Sequence, residues 1–369
     1  MNAGAQNLLI AGGGTGGHVF PALAVAKEWL RRGDGANPRS VLFVGTEQGM
    51  EARLVPQAGY TIEFIRSAGL KGIGGAKLLR NATKIPAGMF DSEKIIRNHS
   101  FDLAFGVGGY ASGPMMLAAI LHRIPSEVFE PNVEPGFTNR VLAGLATRIA
   151  VANAETAPRF GSKAVVTGCP IRPEFFAIPP KAEHRAPFRI LVTGGSRGAL
   201  PINQAFINAM DTLATRKNEL FIVHQTGERD YNAVRVAYAR REMRAEVSPF
   251  INNMAEQFAQ ADLIVCRSGA ITVAEVSASG RAAIFVPFAA STDAHQTRNA
   301  EAMQNAGAAR LLPQQEMTAE RLTTEIFSLL DQPRRISEMG ARARALAKPR
   351  AVEDLVDLLE QTARPKVRR

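Results

Sequence analysis

Short apolar runs and amphipathic stretches alternate along almost the whole chain. The apolar runs fall near residues 7–11, 41–45, 61–65, 102–107, 125–129, 147–151 and 164–167. Between them lie stretches with helical spacing of apolar positions, among them Pro21 to Arg31, Lys77 to Asn98 and Val133 to Leu145. Runs that are apolar throughout suit strands buried on both faces, with the intervening helices as crossovers. The pattern restarts at Arg189, with strands near 189–193, 219–225, 245–248, 262–266, 283–287 and 309–312. It predicts an α/β protein of two doubly wound domains, each a parallel sheet covered by helices.

Between the two series, Pro170, Pro173, Pro179, Pro180 and Pro187 break both helix and strand, which marks a linker over 169–187. The domains are then expected at 1–168 and 188–349. The last segment, 350–369, carries an apolar helical face (Val352, Leu355, Val356, Leu359) that packing back onto the first domain would bury. Two such sheets imply a cleft between the carboxyl ends of their strands, where ligands of this architecture bind.

Composition narrows the class. At 369 residues, 46% hydrophobic and 21% charged, the chain suits two globular cores and excludes wholesale disorder. The weakly polar run from Gly113 to Leu121 is far short of the ~20 residues of a spanning helix. No charged segment followed by an apolar one opens the chain, so no signal peptide is expected. Cys169 and Cys266 have no metal spacing and read as reduced cytoplasmic thiols. The net charge of +10 suits solubility, nucleic acid or an anionic membrane surface. No nucleic-acid-binding signature accompanies it, and aromatic residues are sparse.

Two glycine turns carry the candidate chemistry. Residues 12–18 read Gly-Gly-Gly-Thr-Gly-Gly-His, between the strand of Leu8, Leu9 and Ile10 and a helix opening with Val19-Phe20-Pro21. Such a loop lets ligand atoms approach its backbone, and its N–H groups and helix start suit phosphate or a polar sugar. Thr193-Gly194-Gly195-Ser196-Arg197-Gly198 repeats the arrangement after a second strand. Gly12, Gly14 and Gly17 satisfy G-x-G-x-x-G, but the dinucleotide reading also wants an acid ending the second strand. There the chain has Gly45-Thr46, with Glu47 two places late. Neither turn contains Gly-Lys-Ser/Thr, which argues against a P-loop.

His18 reads either as a hydrogen-bonding group at a helix start or as a general base. Glu275 sits in the second turn of a helix starting near Ala270. It reads as a solvated residue or as a carboxylate accepting both hydroxyls of a ribose. Asp293 and Gln296 share the face of the next helix start and offer a sugar a donor–acceptor mixture. Apart from His295, the other histidines read as structural or surface residues. No metal-ligand spacing and no Asp-x-Asp pair occurs, so metal and cofactor are both expected to be absent. A diphosphate would be met by backbone dipoles, hydroxyls and basic side chains.

Six blocks in order, GGGTGGHVFPALAVA, GVGGYASGP, GCPIRPEFF, VTGGSRGA, CRSGAITVAE and DAHQTRNA, resemble the MurG family of GT-B glycosyltransferases, family 28, from residue 7 to about 350. The resemblance implies inverting transfer of N-acetylglucosamine from UDP-N-acetylglucosamine to the muramoyl 4-hydroxyl of undecaprenyl-diphospho-muramoyl-pentapeptide. By matching position it places Thr15, Gly16, Gly17 and Asn132 near the donor sugar, and Arg172 and Ser196 at donor-binding positions. Ile251 would offer its backbone to uracil. Ala270, Ile271, Thr272, Val273, Ala274 and Glu275 would hold sugar and ribose, and Gln296 would read the N-acetylglucosamine hydroxyls. His18 becomes the leading candidate for catalytic base.

The family often has His-Glu-Gln-Asn where this chain has Phe129-Glu130-Pro131-Asn132, so no histidine at 129 can serve, and Glu130 is the second candidate. The resemblance also implies a peripheral enzyme at the cytoplasmic face of the inner membrane, beside other cell-wall synthesis enzymes and without nucleic acid. The basic residues Arg66, Lys71, Lys77, Arg80, Lys84, Lys94 and Arg97, interleaved with Ile73, Leu78, Leu79, Ile85, Met89 and Phe90, would face anionic lipid or cover the sheet. Rival readings are another GT-B lipid glycosyltransferase, a UDP-N-acetylglucosamine epimerase, a non-catalytic UDP-sugar-binding protein, or a nicotinamide-binding protein.

Overall fold

The computed structural model describes residues 6–67, 84–181, 183–291 and 294–363, excepting the side chains of Lys84 and Ile85. Lys71, Ile73, Lys77, Leu78, Leu79, Arg80 and Asp293 lie outside the described residues. The chain divides into two compact units, Met1–Ile171 with Arg350–Arg369, and Arg172–Pro349.

The first unit is built on strands β1 (Gln6–Gly12), β2 (Arg39–Gly45), β3 (Ile62–Phe64), β4 (Leu103–Gly108), β5 (Ser126–Glu130), β6 (Arg148–Val151) and β7 (Ala164–Val166). They form one parallel sheet in the order β3-β2-β1-β4-β5-β6-β7. The helices that matter for the site are α1 (Gly16–Arg31), α2 (Glu51–Gln57), α3 (Lys84–Asn98), α4 (Ser112–Leu121) and α5 (Phe137–Ala143). Leu9, Ala11, Val44, Ala104 and Val128 pack on one face with Ile95, Met115 and Met116. The other face is covered by α1 and by the terminal helix Ala351–Ala363.

That terminal helix buries Leu355, Val356, Leu358 and Leu359. Arg32 holds Asp357 at 2.6 Å and Glu360 at 3.3 Å, and Arg39 holds Glu360 at 2.9 Å. Burial of each large apolar side chain contributes roughly 1.5–3 kcal/mol. Ion pairs with partly exposed partners contribute roughly 0–1 kcal/mol each. The apolar seam therefore holds the helix, and the ion pairs set its register.

Two helix starts differ from the sequence pattern. α1 opens at Gly16 rather than Val19, with Thr15 extended before it, so that Gly16, Gly17 and His18 form the first turn. A first turn needs no intrahelical N–H bonds, which lets glycines occupy it at little cost. α5 opens only at Phe137, because Pro135 disfavours helix at Glu134 and Gly136 is itself extended.

The second unit carries β8 (Phe188–Thr193), β9 (Leu220–Gln225), β10 (Ala245–Ser248), β11 (Leu263–Cys266), β12 (Ala282–Phe285) and β13 (Arg310–Leu311). They form a parallel sheet in the order β10-β9-β8-β11-β12-β13. In each sheet the strand order reverses beside the first strand of the unit, between β1 and β4 and between β8 and β11. These switch points open a crevice at the carboxyl ends of the strands. Both glycine turns leave from them. The cysteines Cys169 and Cys266 are buried and free.

Candidate active site

At the switch point of the first unit, the turn after β1 meets the turn after β4. Gly13 N–H donates to Gly108 O at 3.2 Å. Gly109 lies so close that a Cβ on it would stand 2.1 Å from Gly13 O, and its φ of +85° suits glycine. Gly14 N–H donates to Glu51 Oε2 at 2.6 Å. These two loop N–H groups are thus committed within the protein, which departs from the expectation of a fully open anion cradle.

His18, half-buried in the first turn of α1, places Nδ1 3.0 Å from Gly13 O and 3.3 Å from Thr15 Oγ1. A carbonyl only accepts, so Nδ1 carries the hydrogen and the neutral ring presents its lone pair at Nε2. The ring edge lies against Gly108, where an added Cβ would touch Nε2 at 3.1 Å and Asn139 Nδ2 at 3.9 Å. Thr15 and Gly17 are exposed, and Gly16 is half-buried.

Glu130, 1% exposed at the end of β5, organises the turn that follows. Its carboxylate accepts from Asn132 N–H at 2.9 Å, Asn132 Nδ2 at 3.1 Å, Gly136 N–H at 2.9 Å and Asn139 Nδ2 at 2.8 Å. Three of these donors bind the carboxylate to the 131–136 turn, and the fourth binds it to α5. Asn139 links that turn to the surroundings of His18.

In the second unit the turn after β8 is pressed against the turn after β9. A Cβ on Gly198 would stand 1.8 Å from Thr226 O. Gln225 fastens the neighbourhood: its Nε2 donates to Gly195 O at 2.9 Å, and its Oε1 accepts Ile251 N–H at 2.8 Å. Ile251 is buried with its N–H so engaged, and the backbone group it can offer a base is its carbonyl. Ser196 is exposed at the tip of the turn.

After β11, helix Ala270–Ser279 starts from an extended Gly269 and carries Ala270 to Glu275, all half-buried, in its first turns. The Glu275 side chain is 13% exposed and meets Arg172 Nη2 at 3.4 Å. Burial pushes the Glu275 carboxyl up to about 7, and the Arg172 guanidinium pulls the other way. The Arg172 guanidinium lies 4.8 Å from the Phe175 ring centroid. Gln296, in the first turn of helix His295–Asn305, accepts Phe288 N–H on its Oε1 at 3.0 Å. Its carbonyl oxygen also receives the Ser268 hydroxyl at 2.8 Å.

Glu51 and Gln225 fasten the two glycine turns, and sequence reading missed both. Glu51 lies in the helix after the second strand, and its carboxylate returns to bond Thr46 (N–H and Oγ1, both 2.9 Å), so it serves the protein and is not the ribose acid of a dinucleotide site. A glutamate soon after Gly45-Thr46 was the available signal. Arg267, in the CRSGA block, is structural: it donates to Val286 O, Pro287 O and Gln314 Oε1, and burial lowers it to about 10. Among the described residues no cluster of three metal-ligating side chains occurs.

Two parallel sheets with matching strand order, each with a glycine turn at its switch point, make up the GT-B architecture. Residues 8–151 match the glycosyltransferase family 28 N-terminal domain, and residues 189–355 match the family 28 C-terminal domain. The chain belongs to glycosyltransferase family 28, among its MurG relatives. It is 44% identical over 362 residues to the UDP-N-acetylglucosamine--N-acetylmuramyl-(pentapeptide) pyrophosphoryl-undecaprenol N-acetylglucosamine transferase of Solibacter usitatus (strain Ellin6076), covering 98% of this chain and 97% of that protein. It resembles the crystal structure of Acinetobacter baumannii MurG with a TM-score of 0.80 and 35% identity, over 96% of this chain and 99% of that one. A UDP-GlcNAc 2-epimerase from Neisseria meningitidis, bound to UDP-GlcNAc, gives 0.64 at 13% identity over 97% of this chain and 100% of that one. That likeness is one of fold alone.

Proposed function

We propose that the chain transfers N-acetylglucosamine, with inversion, from UDP-N-acetylglucosamine to the 4-hydroxyl of undecaprenyl-diphospho-N-acetylmuramoyl-pentapeptide. The observation that carries this reading is the 44% identity to a transferase of that name across both units. The rival epimerase reading rests on fold alone.

In the second unit, Glu275 accepts the ribose hydroxyls and the Ile251 carbonyl meets uracil. The Ser196 turn and Arg172 offset the diphosphate charge, helped by the positive end of helix Leu200–Asn208. Ala270 to Ala274 and the Gln296 amide line the sugar. In the first unit, Thr15, Gly16, Gly17 and Asn132 surround the transferred sugar. His18 Nε2 takes the proton of the acceptor hydroxyl as its oxygen bonds the anomeric carbon. The bond from that carbon to the phosphate oxygen breaks, and UDP leaves with the electron pair. Glu130, occupied by four donors, shapes the turn beside the base.

The acceptor is anchored in lipid, and no helix among the described residues is long and apolar enough to cross a membrane. Peripheral binding at an anionic cytoplasmic leaflet fits the surface of the first unit. Phe137, Val141 and Leu145, spaced one helical turn apart along and just beyond α5, are 61%, 55% and 55% exposed beside Arg140. On α3, Ile95 and Ile96 are buried on the sheet, while Phe90 is 69% exposed near Lys94 and Arg97. The described part of the amphipathic segment thus divides between core and surface. Transfer of labelled N-acetylglucosamine to a soluble muramoyl-diphospho-lipid analogue tests donor, acceptor and reaction together. Product only with a different acceptor class would refute the assignment.

A further inference from the structure

Glu51 opens α2 with 2% of its surface exposed and turns its side chain back under the first glycine loop. Three glycines from separate positions make room for it. A Cβ on Gly13 would stand 2.1 Å from the Glu51 carboxyl carbon, one on Gly49 2.0 Å from Oε2, and one on Gly45 2.4 Å from Cγ. The carboxyl meets donors: Gly14 N–H at 2.6 Å, and Thr46 N–H and Oγ1, both at 2.9 Å. All three contacts donate to the carboxyl, the arrangement a carboxylate accepts best.

The Gly14 N–H and the Gly13 carbonyl are the two poles of one peptide group. The carbonyl pole stands 3.0 Å from His18 Nδ1. A negative charge at the N–H end polarises the peptide and strengthens its oxygen as an acceptor, and the protein interior weakens this coupling little. We propose that Glu51 acts on His18 through the Gly13–Gly14 peptide group, as a positioning residue that fixes the Nδ1–H tautomer and raises the basicity of Nε2. The arrangement is a carboxylate–imidazole pair with one peptide between its members. It rests on the reading of His18 as the base.

The surroundings of the ring bear this out. Thr15 Oγ1, the second contact of Nδ1, is uncharged. Gly108 from β4 lies against the ring edge, with Asn139 from α5 close to Gly108, and neither carries a charge. Glu130 from β5 has its oxygens held by Asn132, Gly136 and Asn139. Among the described contacts, Glu51 from α2 is the carboxylate joined to Nδ1 through a single peptide group.

The substitution E51Q keeps the shape and removes the charge. The His18 ring is followed by side-chain ¹⁵N NMR titration of the full chain, with UDP-N-acetylglucosamine affinity as the control for an intact second unit. We expect the His18 midpoint to fall by about one unit in E51Q, with donor affinity unchanged. The acidic limb of kcat/KM should move to lower pH with it, and kcat should fall ~3–10-fold. E51D, which retains the charge, should return the midpoint toward that of the parent. An unchanged midpoint in folded E51Q overturns the proposal. A midpoint that moves while the kinetic limb stays leaves the Glu51–His18 coupling standing and removes His18 from the role of base. Should E51Q not fold, the parent alone decides, since a ring protonated at Nε2 rather than Nδ1 in its neutral form would overturn the proposal.

Discussion

Arg172 Nη2 stands 3.4 Å from Glu275 Oε1 while burial pushes the Glu275 carboxyl up to about 7. One exposed cation thus faces a carboxylate that burial moves toward neutrality. On the proposed contact with both ribose hydroxyls, the ionised carboxylate is the better acceptor, so donor binding would expel a proton at lower pH.

UDP-N-acetylglucosamine affinity is therefore expected to weaken ~10-fold from pH 8 to pH 6. E275Q should weaken binding at pH 8 and flatten this dependence, as calorimetry at several pH values would read. Stability runs in the opposite sense. Folding raises this carboxyl, so the stability it contributes is present below its ordinary value of 4.5 and lost as pH rises through about 7. Ligand-free E275Q should gain melting temperature over the parent at pH 8 and not at pH 4.

His18→Ala should lower kcat by about 10²–10⁴-fold while leaving donor affinity near that of the parent. The donor contacts assigned above lie chiefly in the second unit. Single-turnover transfer combined with donor calorimetry separates the two quantities. Unchanged turnover would remove the base role.

Glu127 is fully buried in β5, with neither carboxyl oxygen hydrogen-bonded among the described residues. Burial holds its carboxyl well above the ordinary range, against a pull from Arg148, its register partner in β6. The stability it contributes is present below 4.5 and lost as pH rises through the raised value. Glu127→Met should stabilise the protein by about 1–3 kcal/mol at pH 8, and by less at pH 5. Chemical denaturation at the two pH values reads the difference.

The triple substitution Phe137→Ser, Val141→Ser, Leu145→Ser removes exposed apolar surface and touches none of the hydrogen bonds around His18. Flotation with anionic liposomes should drop ~10-fold or more, while transfer to a water-soluble acceptor stays within twofold (about the scatter of surface substitutions). Equal flotation of parent and variant would exclude this helix from membrane contact.

Much of the fold was legible because parallel strands buried on both faces leave apolar runs that no other element needs. The runs near 102–107 and 262–266 became β4 and β11, the strands at the two switch points. The start of α1 was not legible, since glycine carries no apolar signal and the first turn of a helix lacks the bonds that penalise it. The roles of the loop N–H groups were hidden for a different reason. Periodicity reports faces of elements, whereas Glu51 reaches Gly14 through a turn that brings three strand ends together. Arg267 lies in the block that resembles a ligand site, yet its recorded hydrogen bonds go to Val286, Pro287 and Gln314 of the protein itself.

The terminal helix Ala351–Ala363 has a consequence for synthesis. Residues of β4, β5 and β6 on the face it covers emerge from the ribosome early, and the helix emerges only after the whole of residues 172–349. Domains generally fold in the order they are made, but here the second unit can complete its core first. The apolar face beneath the terminal helix stays open throughout that interval. A newborn chain of this protein thus offers chaperones a sticky surface that the finished enzyme never displays.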